Sequence, residues 1–133
     1  KHKKYDDAEI SIGEKFQFLD YEYLFKESKL KNNLSNGRNI EFIDQSKIKD
    51  KKLRLRLWKN GDYFCPLGMS GKQKISDYLI NNKINQFEKL KQTVLIADDK
   101  IIWLCGHRID ERVKISDKTK KVLSLSRFER TSF

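Results

Sequence analysis

The chain has few of the residues that usually interrupt secondary structure or form cross-links: one Pro, six Gly and two Cys among 133 residues. It also has only one Met and two His. A single Pro and the lack of a long polar spacer predict one compact domain. No apolar run approaches the ~18 residues that cross a bilayer, so no membrane association is predicted. The basic start, KHKKYDDAEI, leads into no apolar segment and lacks an initiator Met. We therefore expect no secretory signal, and expect a processed product or a piece of a longer protein.

The two cysteines, Cys65 and Cys105, are too few for a disulfide framework. Each lies in an apolar, strand-like stretch, YFCPL or IIWLCG, so we expect buried, reduced thiols in a cytoplasmic protein. Zinc would need about four ligands. The cysteines, His2 and His107 show no ligand spacing, so no metal site is predicted.

Motifs of nucleotide-using and hydrolytic enzymes are also missing. Neither GxxxxGK[ST] nor GxGxxG occurs. A Ser/His/Asp or Cys/His site would depend on His107, which follows Gly106 in a stretch typical of a hairpin turn. Four carboxylates could serve in acid–base chemistry, but their turn and ion-pair contexts favour structural roles; they are Asp62, Asp77, Asp110 and Glu111. The sequence predicts a binding module without a catalytic site of its own.

Alternating apolar side chains predict β-strands with one buried face. The predicted strands cover 10–12, 16–18, 21–25, 39–43, 53–57, 93–97, 101–105, 113–115 and 122–125. A turn is expected at 35–37 and a hairpin at 98–100. One helix should begin after an N-cap at Ser76 and end near Asn82, and a second should cover 86–91. The predicted fold class is α+β, mainly β, with a sandwich-like mixed sheet and one or two short helices.

The net charge of +10 is unevenly distributed along the chain. Residues 1–44 carry −1, residues 45–74 carry +7 and residues 75–133 carry +4. Concentrated positive charge favours a polyanion, most often nucleic acid, because neutralised phosphates release condensed counterions. The alternative is that the lysines are simply solvated and keep the protein soluble.

The segment RLRLWKNGDYFCPLGMSGKQKISD combines glycines, the one Pro and several cations. It predicts a strand, a tight loop and a helix start, with the loop shaped by Gly61, Asp62, Pro66, Gly68 and Gly71. Three leucines alternate with Arg54 and Arg56, which places the two guanidinium groups on one face, roughly 6–7 Å apart, close to the spacing of neighbouring phosphates. The candidate nucleic-acid contacts in this segment are Arg54, Arg56, Lys59, Lys72 and Lys74. Trp58 could stack on RNA or pack in the core, whereas Trp103 in IIWLC is expected in the core.

Two blocks of this sequence resemble one family. WKNGDYFCPLGMSGKQKISDYLINNKI resembles the C-terminal domain of bacterial tRNA(Ile)-lysidine synthetases, whose pattern is roughly R-x-W-x-x-G-D-x-F-x-P-x-G-x-x-G-x-K-x-[LI]-S-D. KIIWLCGHRIDERVKIS resembles that family's I-I-W-x-x-G-x-R-I-D-x-R-F-K-[VI]-[ST] segment. The resemblance covers about residues 53–125, with Asn85 where Pro is frequent and Val113 in place of the usual Phe.

The resemblance implies a parent ligase that uses ATP with Mg and free lysine to convert the wobble cytidine of tRNA(Ile) into lysidine. That family's SGGxDS nucleotide loop does not occur here, so we expect a C-terminal region that has no cofactor of its own and works with a separate N-terminal catalytic domain. Residues 1–50 would be a β-rich lead-in, and residues 51–133 the tRNA-binding domain, together forming one compact unit. The fold would also be related to a domain of the phenylalanyl-tRNA synthetase β subunit.

The resemblance further implies that this region grips the tRNA body, notably the acceptor stem. It adds Arg108 and Arg112 to the candidate RNA contacts, although either of them could instead pair with Asp110. A different class of function stays open from the residues alone. The chain could be a protein-interaction or homodimerisation module on which the basic surface is incidental.

Overall fold

A computed structural model of the chain describes residues 7–29 and 39–130. The predicted α+β, mainly β class is confirmed. In chain order the strands and helices are β1 (Asp7–Ile10), β2 (Phe16–Phe18), β3 (Tyr21–Ser28), β4 (Ile40–Asp44), β5 (Leu53–Leu57), β6 (Tyr63–Phe64), β7 (Gln73–Lys74), α1 (Ile75–Asn81), α2 (Gln86–Lys89), β8 (Thr93–Ala97), β9 (Lys100–Leu104), β10 (Arg108–Ile109) and β11 (Val122–Glu129). Short 3-10 helices cover Gln45–Ile48 and Glu111–Val113.

These strands form a five-stranded sheet in the order β1-β5-β8-β9-β10 and a four-stranded sheet in the order β2-β3-β11-β4, while β6 and β7 form a separate hairpin. Every strand pair among the described residues is antiparallel, whereas a mixed sheet was predicted. The short turn between β8 and β9 illustrates the reason, because tight turns join antiparallel neighbours and parallel pairs need long crossovers. Each of the two sheets contains strands from before and after the predicted boundary at residue 50, since β1 pairs with β5 and β4 pairs with β11.

The two larger sheets pack face to face around the main core. Leu53 and Leu55 point into this core, as their alternation predicted. Trp103 is completely buried at its centre, with edge-to-face contacts to Tyr23 and Phe25 at centroid distances of 6.3 Å each. The predicted core position of Trp103 is therefore confirmed.

The opposite face of the five-stranded sheet is buried as well. Phe64 from β6 and Ile75 and Leu79 from α1 cover Val94 and Leu104 of the sheet, and these side chains form a second core. The molecule thus has three layers: a sheet, a second sheet and a cover made by α1 with the β6–β7 hairpin. Burial on both faces explains why β8 reads as the continuous apolar run TVLIA, all of whose residues are buried.

The helix boundaries differ from the prediction. The N-cap of α1 is Lys74 rather than Ser76, because the Ile75 N–H donates to the Asp62 carbonyl at 2.9 Å and fixes the helix start earlier. The Asn85 side chain caps α2 by accepting from the Glu88 N–H at 2.8 Å, and α2 ends at Lys89, two residues before the predicted end.

The predicted strand at 113–115 is wrong. The Asp110 carboxylate accepts from the Arg112 N–H at 2.8 Å, which starts a 3-10 helix over Glu111–Val113, and the strand that pairs with β9 lies earlier, at Arg108–Ile109. The hairpin at 98–100 is confirmed. The predicted turn at 35–37 lies outside the described residues.

Among the residues that the structure describes, no helix is both long and apolar enough to cross a membrane.

Candidate nucleic-acid interface

The loop between β5 and α1 is built from two tight turns. In the first, the Asp62 N–H donates to the Lys59 carbonyl at 3.1 Å, and Gly61 has a φ of 97°. In the second, the Met69 N–H donates to the Pro66 carbonyl at 2.9 Å, and Gly68 has a φ of 88°. A positive φ at the third position is what a type II turn requires, and glycine adopts it without strain. Gly71 has no positive φ and open space around its α-carbon, so this backbone geometry does not require glycine there.

The Gly-rich loop is bound to the segment around Asp110, so the two family-like sequence blocks meet in space. The Cys65 N–H donates to the Asp110 carboxylate at 2.9 Å, and the Glu111 N–H donates back to the Cys65 carbonyl at 2.7 Å. The Gly68 N–H donates to the Glu111 carboxylate at 2.8 Å. These contacts hold the loop on a rigid support, where binding groups are usually placed.

Arg56 is committed to the first turn. Its guanidinium donates to both carboxylate oxygens of Asp62, at 2.9 and 3.0 Å, and the two side chains are 14% and 13% exposed. The same carboxylate accepts from the Lys59 N–H at 2.8 Å. Arg56 therefore stabilises the loop and has little charge to offer a ligand.

Arg54 lies on the same face of β5 as Arg56, as predicted, and this face borders the second core, where Arg54 lies opposite Ile96. Its guanidinium pairs with both carboxylate oxygens of Asp7, with a shortest contact of 2.6 Å. The pair ties β5 to β1, and its two side chains are 37% and 39% exposed. Arg54 is thus a partly neutralised cation beside the edge strand β1.

Arg112 pairs with Asp110 and resolves the alternative left open by the sequence. Its Nε and Nη2 donate to the two carboxylate oxygens at 2.8 and 2.9 Å. Asp110 is fully buried, and although burial alone would raise its pKa, hydrogen bonds from the Arg112 side chain and the Cys65 backbone hold that pKa below its usual value. Arg108 is exposed and donates to the Leu67 carbonyl at 3.3 Å.

The β6–β7 hairpin presents cations beside an aromatic ring. Lys74 lies directly across from Tyr63 in the ladder, and Lys72 lies just before β7 begins. The Lys72 ammonium is 4.5 Å from the centroid of the Tyr63 ring, which is 47% exposed. We call Tyr63, Lys72 and Lys74 the cationic hairpin. Tyr63 was not among the candidate contacts predicted from the sequence. Its position next to the apolar Phe64, in a strand-like alternation, could have indicated that its ring is exposed.

The seven predicted RNA contacts therefore divide into two groups. Lys59, Lys72, Lys74 and Arg108 are exposed and pair with no carboxylate of the described residues. Arg54, Arg56 and Arg112 are in bidentate ion pairs with Asp7, Asp62 and Asp110.

Trp58 packs against the second core, and its indole N–H donates to the Lys89 carbonyl at 2.9 Å, which favours the structural role over stacking on RNA. Cys105 is buried, and burial raises the pKa of its thiol to about 12. Cys65 is half-buried, not fully buried as predicted. Across residues 7–29 and 39–130, no three His, Cys, Asp or Glu side chains are grouped as metal ligands would be.

Comparisons with known proteins show the family and the fold of this chain. The family described as "TilS substrate C-terminal domain" matches residues 53–126, which include both β5 and most of β11. The chain is 40% identical to the tRNA(Ile)-lysidine synthase of Parabacteroides distasonis over 90 residues, which are 68% of this chain and 20% of that protein. It is 34% identical to the enzyme of the same name from Clostridium perfringens over 107 residues, which are 80% of this chain and 22% of that protein.

The fold has a solved counterpart in the structure described as "Crystal structure of TILS C-terminal domain". The TM-score is 0.81 at 17% identity, over 95% of this chain and 98% of that chain. Since the identity is low, this likeness concerns the fold alone. The chain spans about a fifth of the length of the curated relatives that it matches. On the match over residues 53–126, the chain belongs to the TilS substrate C-terminal domain family.

Proposed function

We propose that this chain is the tRNA-binding part of a tRNA(Ile)-lysidine synthase and that it holds the tRNA body at the acceptor stem. Adenylation of the cytidine with ATP and Mg, and its reaction with lysine, would occur in a catalytic domain outside these 133 residues. The proposal is supported by relatives that carry this enzyme's name and are about five times longer than the matched segment.

The cationic hairpin is the observation that carries the proposal. Lys74 lies opposite an exposed tyrosine in the β6–β7 ladder, the Lys72 ammonium lies over the ring of that tyrosine, and neither ammonium is neutralised by a described carboxylate. A-form RNA presents phosphates and 2′-hydroxyls at its surface, while its deep groove hides the base edges. Exposed lysines suit those phosphates as point charges, and the tyrosine ring adds a face on which an unpaired base can stack.

A binding titration of the chain with a fluorescent tRNA(Ile) transcript tests the proposal. Binding should need neither ATP nor lysine. Three phosphate contacts give an affinity loss of roughly 40-fold between ~50 and ~200 mM salt, because each neutralised phosphate contributes a slope of about −0.9 in log affinity against log salt. No binding at ~50 mM salt, or an affinity that does not respond to salt, contradicts the proposal.

Exposed apolar side chains on the two helices favour a second candidate, a contact with another protein surface. Ile80 of α1 is 61% exposed, and Phe87 and Leu90 at α2 are 68% and 73% exposed. Side chains of this kind are typical of interfaces with another domain or chain. The affinity of such an interface would change little with salt concentration. The salt dependence of binding, measured with tRNA(Ile) and with a protein partner, therefore separates the two candidates.

A further inference from the structure

Eight of the 29 basic residues lie in two short segments that are far apart in the sequence. Residues 45–52 (QSKIKDKK) and residues 114–121 (KISDKTKK) hold four lysines each and one aspartate each, Asp50 and Asp117. These sixteen residues therefore carry +6 of the chain's net +10. We call their exposed side the lysine surface; its lysines are Lys47, Lys49, Lys51, Lys52, Lys114, Lys118, Lys120 and Lys121, all of them exposed.

The fold brings the two segments together through one buried carboxylate. Asp44 is 5% exposed, and its Oδ1 accepts from the Ser46 N–H at 3.0 Å, which caps the first 3-10 helix. Its Oδ2 accepts from the Thr119 hydroxyl at 2.9 Å. The Gln45 N–H also donates to the Lys121 carbonyl at 3.0 Å. Two segments that are about 70 residues apart are thus fixed side by side at one end of the sandwich.

The charge on this surface is largely unneutralised. Lys51 pairs with Asp98 at 3.9 Å, and Lys114 pairs with Glu111. The other six lysines form no ion pair with any residue within 7–29 or 39–130. Unneutralised like charges on adjoining segments repel one another, and a bound polyanion relieves that repulsion.

The shape of the surface also fits a phosphate backbone. Lys49, Lys51, Lys120 and Lys121 line an open groove together with Ile12, Ile48 and Asp50. Flexible ammonium groups bind phosphates as point charges without needing a fixed geometry, and such contacts position a nucleic acid without reading its bases. The 3-10 helix at Gln45–Ile48 packs against the 3-10 helix at Glu111–Val113, which supports the Gly-rich loop.

We infer that the lysine surface is a second RNA-binding surface, which takes the phosphate backbone of duplex RNA and adds to the contacts of the cationic hairpin. The inference rests on the proposed function, because it assigns a second contact to the same tRNA. It also assigns much of the excess positive charge of residues 45–74 to a surface other than the Gly-rich loop. Four of the nine basic residues in that stretch (Lys47, Lys49, Lys51 and Lys52) belong to the lysine surface and not to the Gly-rich loop.

The test compares two charge-matched variants. Lys49→Gln/Lys120→Gln removes one lysine from each segment, and Lys26→Gln/Lys83→Gln removes two exposed lysines elsewhere that form no ion pair with a described residue. Both chains are titrated with the tRNA(Ile) transcript and with an RNA stem-loop at several salt concentrations. Thermal melting followed by circular dichroism checks the fold, and Lys118→Gln/Lys121→Gln repeats the test if the first variant melts early.

The lysine-surface variant should lose about two units of salt slope, one per phosphate contact, and at least about tenfold in affinity at ~100 mM salt. The control should stay within about threefold of the unmodified chain. Equal losses from both variants overturn the inference and leave the proposed function standing. Failure of the unmodified chain to bind RNA overturns both.

Discussion

The guanidinium of Arg56 holds both carboxylate oxygens of Asp62, six residues further along the chain, at 2.9 and 3.0 Å. The carbonyl of that same Asp62 accepts from the Ile75 N–H at 2.9 Å, where α1 begins. Asp62 therefore links the end of β5 to the first turn of the Gly-rich loop through its side chain, and that turn to the start of α1 through its backbone.

We expect Asp62→Ala to lower the free energy of unfolding by about 3 kcal/mol, because it leaves the largely buried Arg56 guanidinium unpaired. Urea denaturation measures the loss. Asp117→Ala, which changes an exposed carboxylate, is the control and should stay within about 0.5 kcal/mol of the unmodified chain. A small effect at both positions would show that the ion pair does not stabilise the loop.

The Asp110 carboxylate should make stability depend on pH. Its pKa is lowered in the folded chain, so its contribution is complete above the unfolded-state value of about 3.9 and is lost as the pH falls through the folded-state pKa. Asp110→Asn should therefore be less stable than the unmodified chain at pH 6 and lose less stability between pH 5 and pH 2. Parallel pH dependences for the two chains would contradict the assigned role.

Trp103 should matter more for stability than Trp58. Trp103→Ala removes a completely buried ring from between Tyr23 and Phe25, so we expect a loss of more than about 3 kcal/mol. Trp58→Phe keeps an aromatic ring and loses the hydrogen bond to Lys89, which should cost about 1 kcal/mol. Thermal melting of both variants gives the comparison, and an unchanged melting temperature for Trp103→Ala is inconsistent with a core position.

Local patterns in the sequence predicted most of the strands, because alternation reports which side chains enter a core. Leu53 and Leu55 show this directly, since they fill the main core as their spacing indicated. The same spacing placed Arg54 and Arg56 on the other face of β5 but could not show that α1 and β6 cover the sheet on that side. The cover is a contact between distant segments, and no local pattern encodes it.

The candidate site was predicted only in part for the same reason. The partner of Arg54 is Asp7, 47 residues away, so its pairing could not be read from neighbouring residues. Tyr63 belongs to the site because β7 places Lys74 opposite it, and this pairing joins residues that are 11 positions apart. The strand expected at 113–115 failed because the Asp110 side chain binds the backbone two residues later, and apolar periodicity does not register such a cap.

The central claim is that exposed cations at the Gly-rich loop, and not net charge alone, bind the tRNA. Its most direct measurement is the salt dependence of tRNA(Ile) binding by Lys72→Glu/Lys74→Glu, with Lys26→Glu/Lys83→Glu as the control of equal net charge. The hairpin variant should keep its melting temperature, bind at least about tenfold more weakly and lose about one unit of salt slope per lost phosphate contact. Equal losses in affinity and slope from the two variants would contradict the claim.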